Sequence, residues 1–194
     1  MAIPMDDDER RSLATALARA KDPALIRETV RLAESFLTAQ LQAGLAADLR
    51  AMTLAAVLAA IIGGLLGGIA TIVAAAEVKL GLHLISILVF TTCLVVALFN
   101  AVYAARPTFF DYAGNNPKFF VEDVEQEKNL NQVLAEQAAY YARSIEANND
   151  CIDENHRCLK RALDWVLVAT VLGMGAEVVI ILGYVGRSGF GLVF

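Results

Sequence analysis

The sequence predicts an all-α integral membrane protein with three transmembrane helices, N-terminus inside and C-terminus outside, and a long cytoplasmic helical hairpin. Three observations lead there. Residues 51–76 carry no charge, 82–105 carry none beyond a neutral His83, and 162–185 carry only Asp164 and Glu177, so each stretch has the length and apolarity of a membrane-crossing helix. Charge is concentrated outside these stretches, which is how a chain that is 57% hydrophobic still holds 16 basic and 21 acidic residues. Every lysine and arginine except Lys79 and Arg187 falls on the same side of the three spans, and flanks rich in lysine and arginine stay in the cytoplasm.

Four segments follow: an N-terminal cytoplasmic arm (1–50), a transmembrane hairpin (51–105), an interfacial loop with a long cytoplasmic helix (106–161), and a third span with a short external tail (162–194). The arm opens on Asp6, Asp7, Asp8 and Glu9, acids suited to a helix start. It runs to Lys21, where Asp22-Pro23 reads as an N-cap followed by proline at the first helical position. Beyond it Leu25, Ile26, Val30, Ala33, Phe36, Leu37, Leu41 and Leu45 recur at three- and four-residue spacing. Nothing breaks this helix before the first span, so one helix from Pro23 to Ala76 is expected, roughly 80 Å long at the standard rise per residue. Gly44 is the point at which it could hinge. A short turn over 77–81 joins the first two spans, with Tyr103 and Trp165 marking the inner interface and Tyr184 the outer one.

Arg106-Pro107 ends the second span's helix. Residues 108–120, with Gly114, Asn115-Asn116 and Pro117, read as a turn-rich loop that skims the headgroups and brings Phe109, Phe110, Tyr112, Phe119 and Phe120 to the interface. Residues 121–161 then hold neither proline nor glycine. Glu122, Asp123, Glu125 and Glu127 stand at their front and Arg157, Lys160 and Arg161 at their end, which predicts one helix whose charges complement its dipole. Leu130, Val133, Leu134, Gln137, Tyr141, Ile145, Asn148, Ile152, Asn155 and Leu159 trace an approximate heptad stripe, expected to pack on the N-terminal helix or on a copy of it as a coiled coil.

Composition excludes several function classes. The polar segments are too short and too divided to enclose a catalytic core, and no paired acids, histidine box or nucleophile arrangement stands in them, so an enzyme is not expected. A net charge of −5 with acids and bases interleaved offers no basic stripe for nucleic acid. Three cysteines, Cys93 in mid-span, build no disulfide framework and fit a reducing compartment. The acidic start of the chain differs from a secretory signal, so the N-terminus is expected to stay on the side where it is made. Cys151, His156 and Cys158 share no single helix face within reach of one ion, so neither a metal nor any other cofactor is expected.

The candidate site residues lie in the spans and on the heptad stripe. Glu177 is an ionisable residue well inside the third span, where a carboxyl must face protein or water. It reads either as a pore-lining or proton-accepting acid, in a ring made by several subunits, or as a hydrogen-bonded glue between helices with His83, Thr71 or Ser86 as partner. His83 lacks the companions of a metal ligand; Asn100 and Thr91-Thr92 line a water path or bond a neighbouring helix. Gly63 with Gly67 and Gly64 with Gly68 are four-residue glycine pairs that clear a groove for close helix packing. Ala60 and Ala75 extend that groove, and Gly173 and Gly175 on the third span offer a facing surface. Asn148 and Asn155, polar on an apolar stripe, are expected to fix register or oligomer state.

The order of parts, with ALFNAVYAARP over 97–107 and LAEQAAYYARSIEANNDCIDENHRCLKRAL over 134–163 leading directly into the third span, resembles the membrane-spanning effectors of bacterial anti-phage systems. The similarity is to the Pycsar transmembrane effectors and, more loosely, to the SLATT effectors. The resemblance implies an oligomer of the bacterial inner membrane that rearranges its spans on a nucleotide or other infection signal and permeabilises that membrane. Under it Glu177 is the pore acid, the glycine groove the packing face and the cytoplasmic helices the sensor. From the residues alone the partners are membrane lipids and either further copies of the chain or a larger membrane complex, in which it would be a non-catalytic scaffold or accessory subunit.

Overall fold

The computed structural model describes residues 6–20, 22–74 and 81–189. Residues 77–80 of the expected turn, with Lys79, the groove residue Ala75 and the tail 190–194 lie outside the described residues, as do the side chains of Phe119, Tyr184 and Arg187. All regular elements among the described residues are helical: α1 (Asp7–Ala18), α2 (Pro23–Ala74), α3 (Gly81–Ala104), a 3-10 turn (Pro117–Phe119), α4 (Phe120–Glu125) and α5 (Leu130–Gly189). Three of them, α2, α3 and α5, are long and apolar enough to cross a membrane.

Local chemistry explains the helix starts. Asp6 caps α1 by accepting the Glu9 N–H at 2.7 Å, and three acids fill the first turn. Asp22 Oδ1 accepts the Ala24 N–H at 2.9 Å, just ahead of α2, with Pro23 in the position where its missing N–H costs nothing. Gly44, where the helix could have hinged, does not break it: α2 passes through unbroken over 52 residues. Gly44 serves close approach instead, because a Cβ there would lie 2.8 Å from Phe110 Cζ.

The single helix expected over 121–161 is also corrected. The chain leaves α4 at Glu125, turns through Glu127 at φ 50°, and starts α5 at Leu130. A reciprocal capping box makes the new start: Asn129 Oδ1 accepts the Gln132 N–H at 3.0 Å, and Gln132 Oε1 accepts the Asn129 N–H at 3.1 Å. Lys128 ties the two helices across the turn through Asp123 at 2.8 Å and Glu136 at 2.8 Å. Beyond the break α5 runs without interruption through the whole third span.

Two compact units divide the chain. The first joins Met1–Ala47 to Pro107–Glu154. In it α2 and α5 lie side by side and run in the same direction, since Glu34 meets Tyr141 and Gln40 meets Ile145 and Asn149. Val30, Leu37, Ala138 and Tyr141 form its core, with Leu17 of α1 packed against them. The second unit joins Asp48–Arg106 to Asn155–Phe194. Its core is built on small residues of α3, Cys93, Ala97 and Ala101, set against Leu58 and Ile62 of α2 and Ala162 and Ala169 of α5. Ala51, Ala104 and Cys158 close it at one end. Residues this small allow three backbones to come close without a hydrophobic driving force between apolar surfaces.

Candidate intramembrane site

The site begins with a glycine. Gly173 on α5 lies so close to α3 that an added Cβ would be 2.7 Å from Phe90 Cδ2. One turn further along α5 stands Glu177, and nearly two turns back along α3 stands His83. Their side chains meet: His83 Nδ1 and Glu177 Oε2 are 3.0 Å apart, and the two side chains remain 33% and 40% exposed. Of the three partners weighed for Glu177, histidine is the one the fold brings to it. Thr71 instead donates to Gly68 O at 2.8 Å within its own helix, and Ser86 is buried nearby. A cleft of about 340 Å³ runs beside the pair, lined by Ser86, Ile87, Phe90, Met174 and Val178.

Chemically, the pair is a carboxyl and an imidazole sharing a hydrogen bond inside otherwise apolar helices. Either a carboxylic acid with a neutral ring or a carboxylate with a protonated ring satisfies it, and both states spare the carboxyl an isolated charge in hydrocarbon.

The remaining span residues fall elsewhere. Asn100 Nδ2 donates to Val96 O at 2.8 Å, back onto its own helix. Thr92 likewise donates to Leu88 O, while Thr91 Oγ1 is buried with no hydrogen-bond partner. The glycines divide in two. Around Gly63, Gly64, Gly67 and Gly68 an added Cβ meets nothing within 4 Å, and the same holds at Gly175. The groove on α2 is therefore open on this chain, and Gly173 faces Phe90 rather than that groove.

On the heptad stripe Asn148 and Asn155 part company. Asn148 is 1% exposed and clasps the loop: its Oδ1 accepts the Asp111 N–H at 2.9 Å and its Nδ2 donates to Asp111 O at 2.8 Å. Asn155 is buried in the second unit with Nδ2 unpartnered. In that unit Asp48 Oδ1 is buried without a hydrogen bond too, and burial pushes the Asp48 carboxyl above its ordinary pKa. Cys151 Sγ approaches Phe109 O at 3.9 Å, and Cys158 is buried beside Ala51 and Ala104. Among the described residues no three histidines, cysteines or acids gather as a metal-ligand set.

Sequence reasoning missed the clasp that these contacts form. Tyr141 Oη accepts the Gly114 N–H at 3.0 Å and donates to Glu34 Oε1 at 3.0 Å, and Gln40 Nε2 donates to Ile145 O and Asn149 Oδ1. Burial pushes the Tyr141 hydroxyl above its usual pKa of 10.0, with the Gly114 N–H opposing that rise and Glu34 adding to it. The signal was present as polar groups at Gln40, Tyr141 and Asn148 on largely apolar stripes.

Residues 11–183 match the model of a family described as the Pycsar effector protein domain. No curated protein and no solved structure matches the chain.

Proposed function

The chain belongs to the Pycsar effector family, and from that premise we propose that it is an oligomeric pore-forming effector of the bacterial inner membrane, with helices outside the bilayer that receive a nucleotide or other infection signal. Membership and the three apolar helices make it a membrane effector of anti-phage defence, of a transmembrane family and not a known catalytic one. The observation that carries the pore reading is the partly exposed His83–Glu177 pair. A carboxyl at that depth needs cover on every side, and the His83 and Glu177 side chains of one chain are still 33% and 40% exposed. Copies of the chain set around an axis supply the rest, and a ring of such carboxyls, once its pairs with His83 open, gives cations a polar path.

The bias of basic residues supports an N-terminus in the cytoplasm and a C-terminus outside, an orientation under which the first unit would face the signal. The open face of Gly63, Gly64, Gly67 and Gly68 supports packing between copies. Expression in bacteria loaded with a potential-sensitive dye tests the reading. Induction, or induction with phage challenge, is expected to collapse the membrane potential, and Glu177→Gln to blunt that collapse at equal membrane abundance. Loss of potential that is unchanged in both Glu177→Gln and Glu177→Ala would sink the pore acid. The detergent-corrected particle mass is expected to be that of four or more identical chains. A monomer, or one copy in a mixed complex, would favour the accessory-subunit reading.

A further inference from the structure

We infer that Phe109 and Tyr112 form an aromatic anchor that inserts into the bilayer interface, so that the loop following α3 is a lipid-binding surface. The two side chains are 100% and 72% exposed. That exposure does not come from a slack loop, because the backbone around both residues is held. Phe110 between them turns inward, its ring filling the space over Gly44. Asp111 is gripped through both its N–H and its carbonyl by Asn148. Gly114, two residues past Tyr112, donates to Tyr141, and Cys151 reaches the Phe109 carbonyl. With the Phe110 ring over Gly44 and the Asp111 backbone held by Asn148, the strap presents 109 and 112 outward in a fixed pose, which lowers the ordering cost of binding whatever they meet.

The bilayer interface is the occupant that the chain's own connectivity favours. Phe109 is five residues beyond Ala104, the last residue of a helix apolar enough to cross the membrane, so extended chain can carry it no more than about 18 Å from that end. An aromatic and cationic belt already begins there: Tyr103 is 47% exposed on α3, and the Arg106 guanidinium lies 4.1 Å over its ring. A phenyl ring and a phenol are the side chains that interfaces collect, one for its apolar body and the other for its polar tip.

The full chain in vesicles of phosphatidylethanolamine and phosphatidylglycerol at 3:1 provides the test. Trp165→Phe removes the native tryptophan, and Phe109→Trp or Tyr112→Trp is then introduced singly, so that one position reports if the other fails to fold. Emission is expected to be blue-shifted and to fall at least two-fold when the acyl chains are brominated near the headgroup, with iodide on both sides of the membrane quenching weakly. Strong iodide quenching with no response to brominated lipid would place the strap in water and overturn the anchor. Blue-shifted emission indifferent to both quenchers would mean that protein covers it, a second copy included, and would overturn it equally.

Discussion

At Gly173 a methyl group would collide with Phe90, whereas at Gly64 it would meet open space. One residue type thus separates two kinds of effect. Gly173→Ala is expected to lower the stability of the folded chain by about 1–3 kcal/mol, the usual cost of overpacking, read as thermal unfolding in detergent. Gly64→Ala should leave unfolding unchanged or raise it by up to about 1 kcal/mol through the loss of chain entropy. Any fall in particle mass for Gly64→Leu then reports on a partner, not on the fold. Tyr141 gives a pH prediction at the same scale. Because burial raises its pKa in the folded chain, the folded state holds that proton more tightly than the unfolded one. The resulting stability is complete below pH 10 and is lost as pH rises through the folded value. Tyr141→Phe should cost about 1–2 kcal/mol at neutral pH and flatten the alkaline fall. A wild-type-like alkaline limb in that variant would assign the fall to another group.

The elements show which local signals a periodicity reading weighs and which it passes over. Helix α2 was legible from Asp22-Pro23 onward because capping and the three-to-four spacing agree. The break before α5 was not, since residues 121–161 contain neither of the residues that ordinarily stop a helix. Asn129 and Gln132 were readable as a capping box, yet the same residues fit a helix interior, and the Lys128 bridge to Asp123 and Glu136 tips the balance. The turn depends on Glu127 in the left-handed region at φ 50°, a conformation that costs a non-glycine residue about 1–2 kcal/mol. Glu127→Gly is therefore expected to stabilise the protein by about 1 kcal/mol, measured by denaturant unfolding of the solubilised chain. A loss of similar size would mean that the glutamate side chain holds the turn.

For the whole molecule, the orientation proposed from basic flanks makes a direct prediction. Alkaline phosphatase fused after Phe194 should be active, and fused at Asn115 or at the N-terminus inactive, in a bacterial host; the reverse pattern would invert the chain and move the loop, with its strap, to the outer face. The three spans and the helical class were written in the sequence, because apolar length and the 3.6-residue period are properties of neighbouring residues. The tertiary structure decided the rest: that Glu177 meets His83 rather than Thr71, that Asn148 grips Asp111, that Gly44 and Gly173 admit aromatic rings while Gly63, Gly64, Gly67 and Gly68 stand open. Those outcomes depend on which faces of two helices turn toward each other. Residues 94 positions apart, as His83 and Glu177 are, leave no trace of that choice in local spacing; only the packing of α3 against α5 makes it.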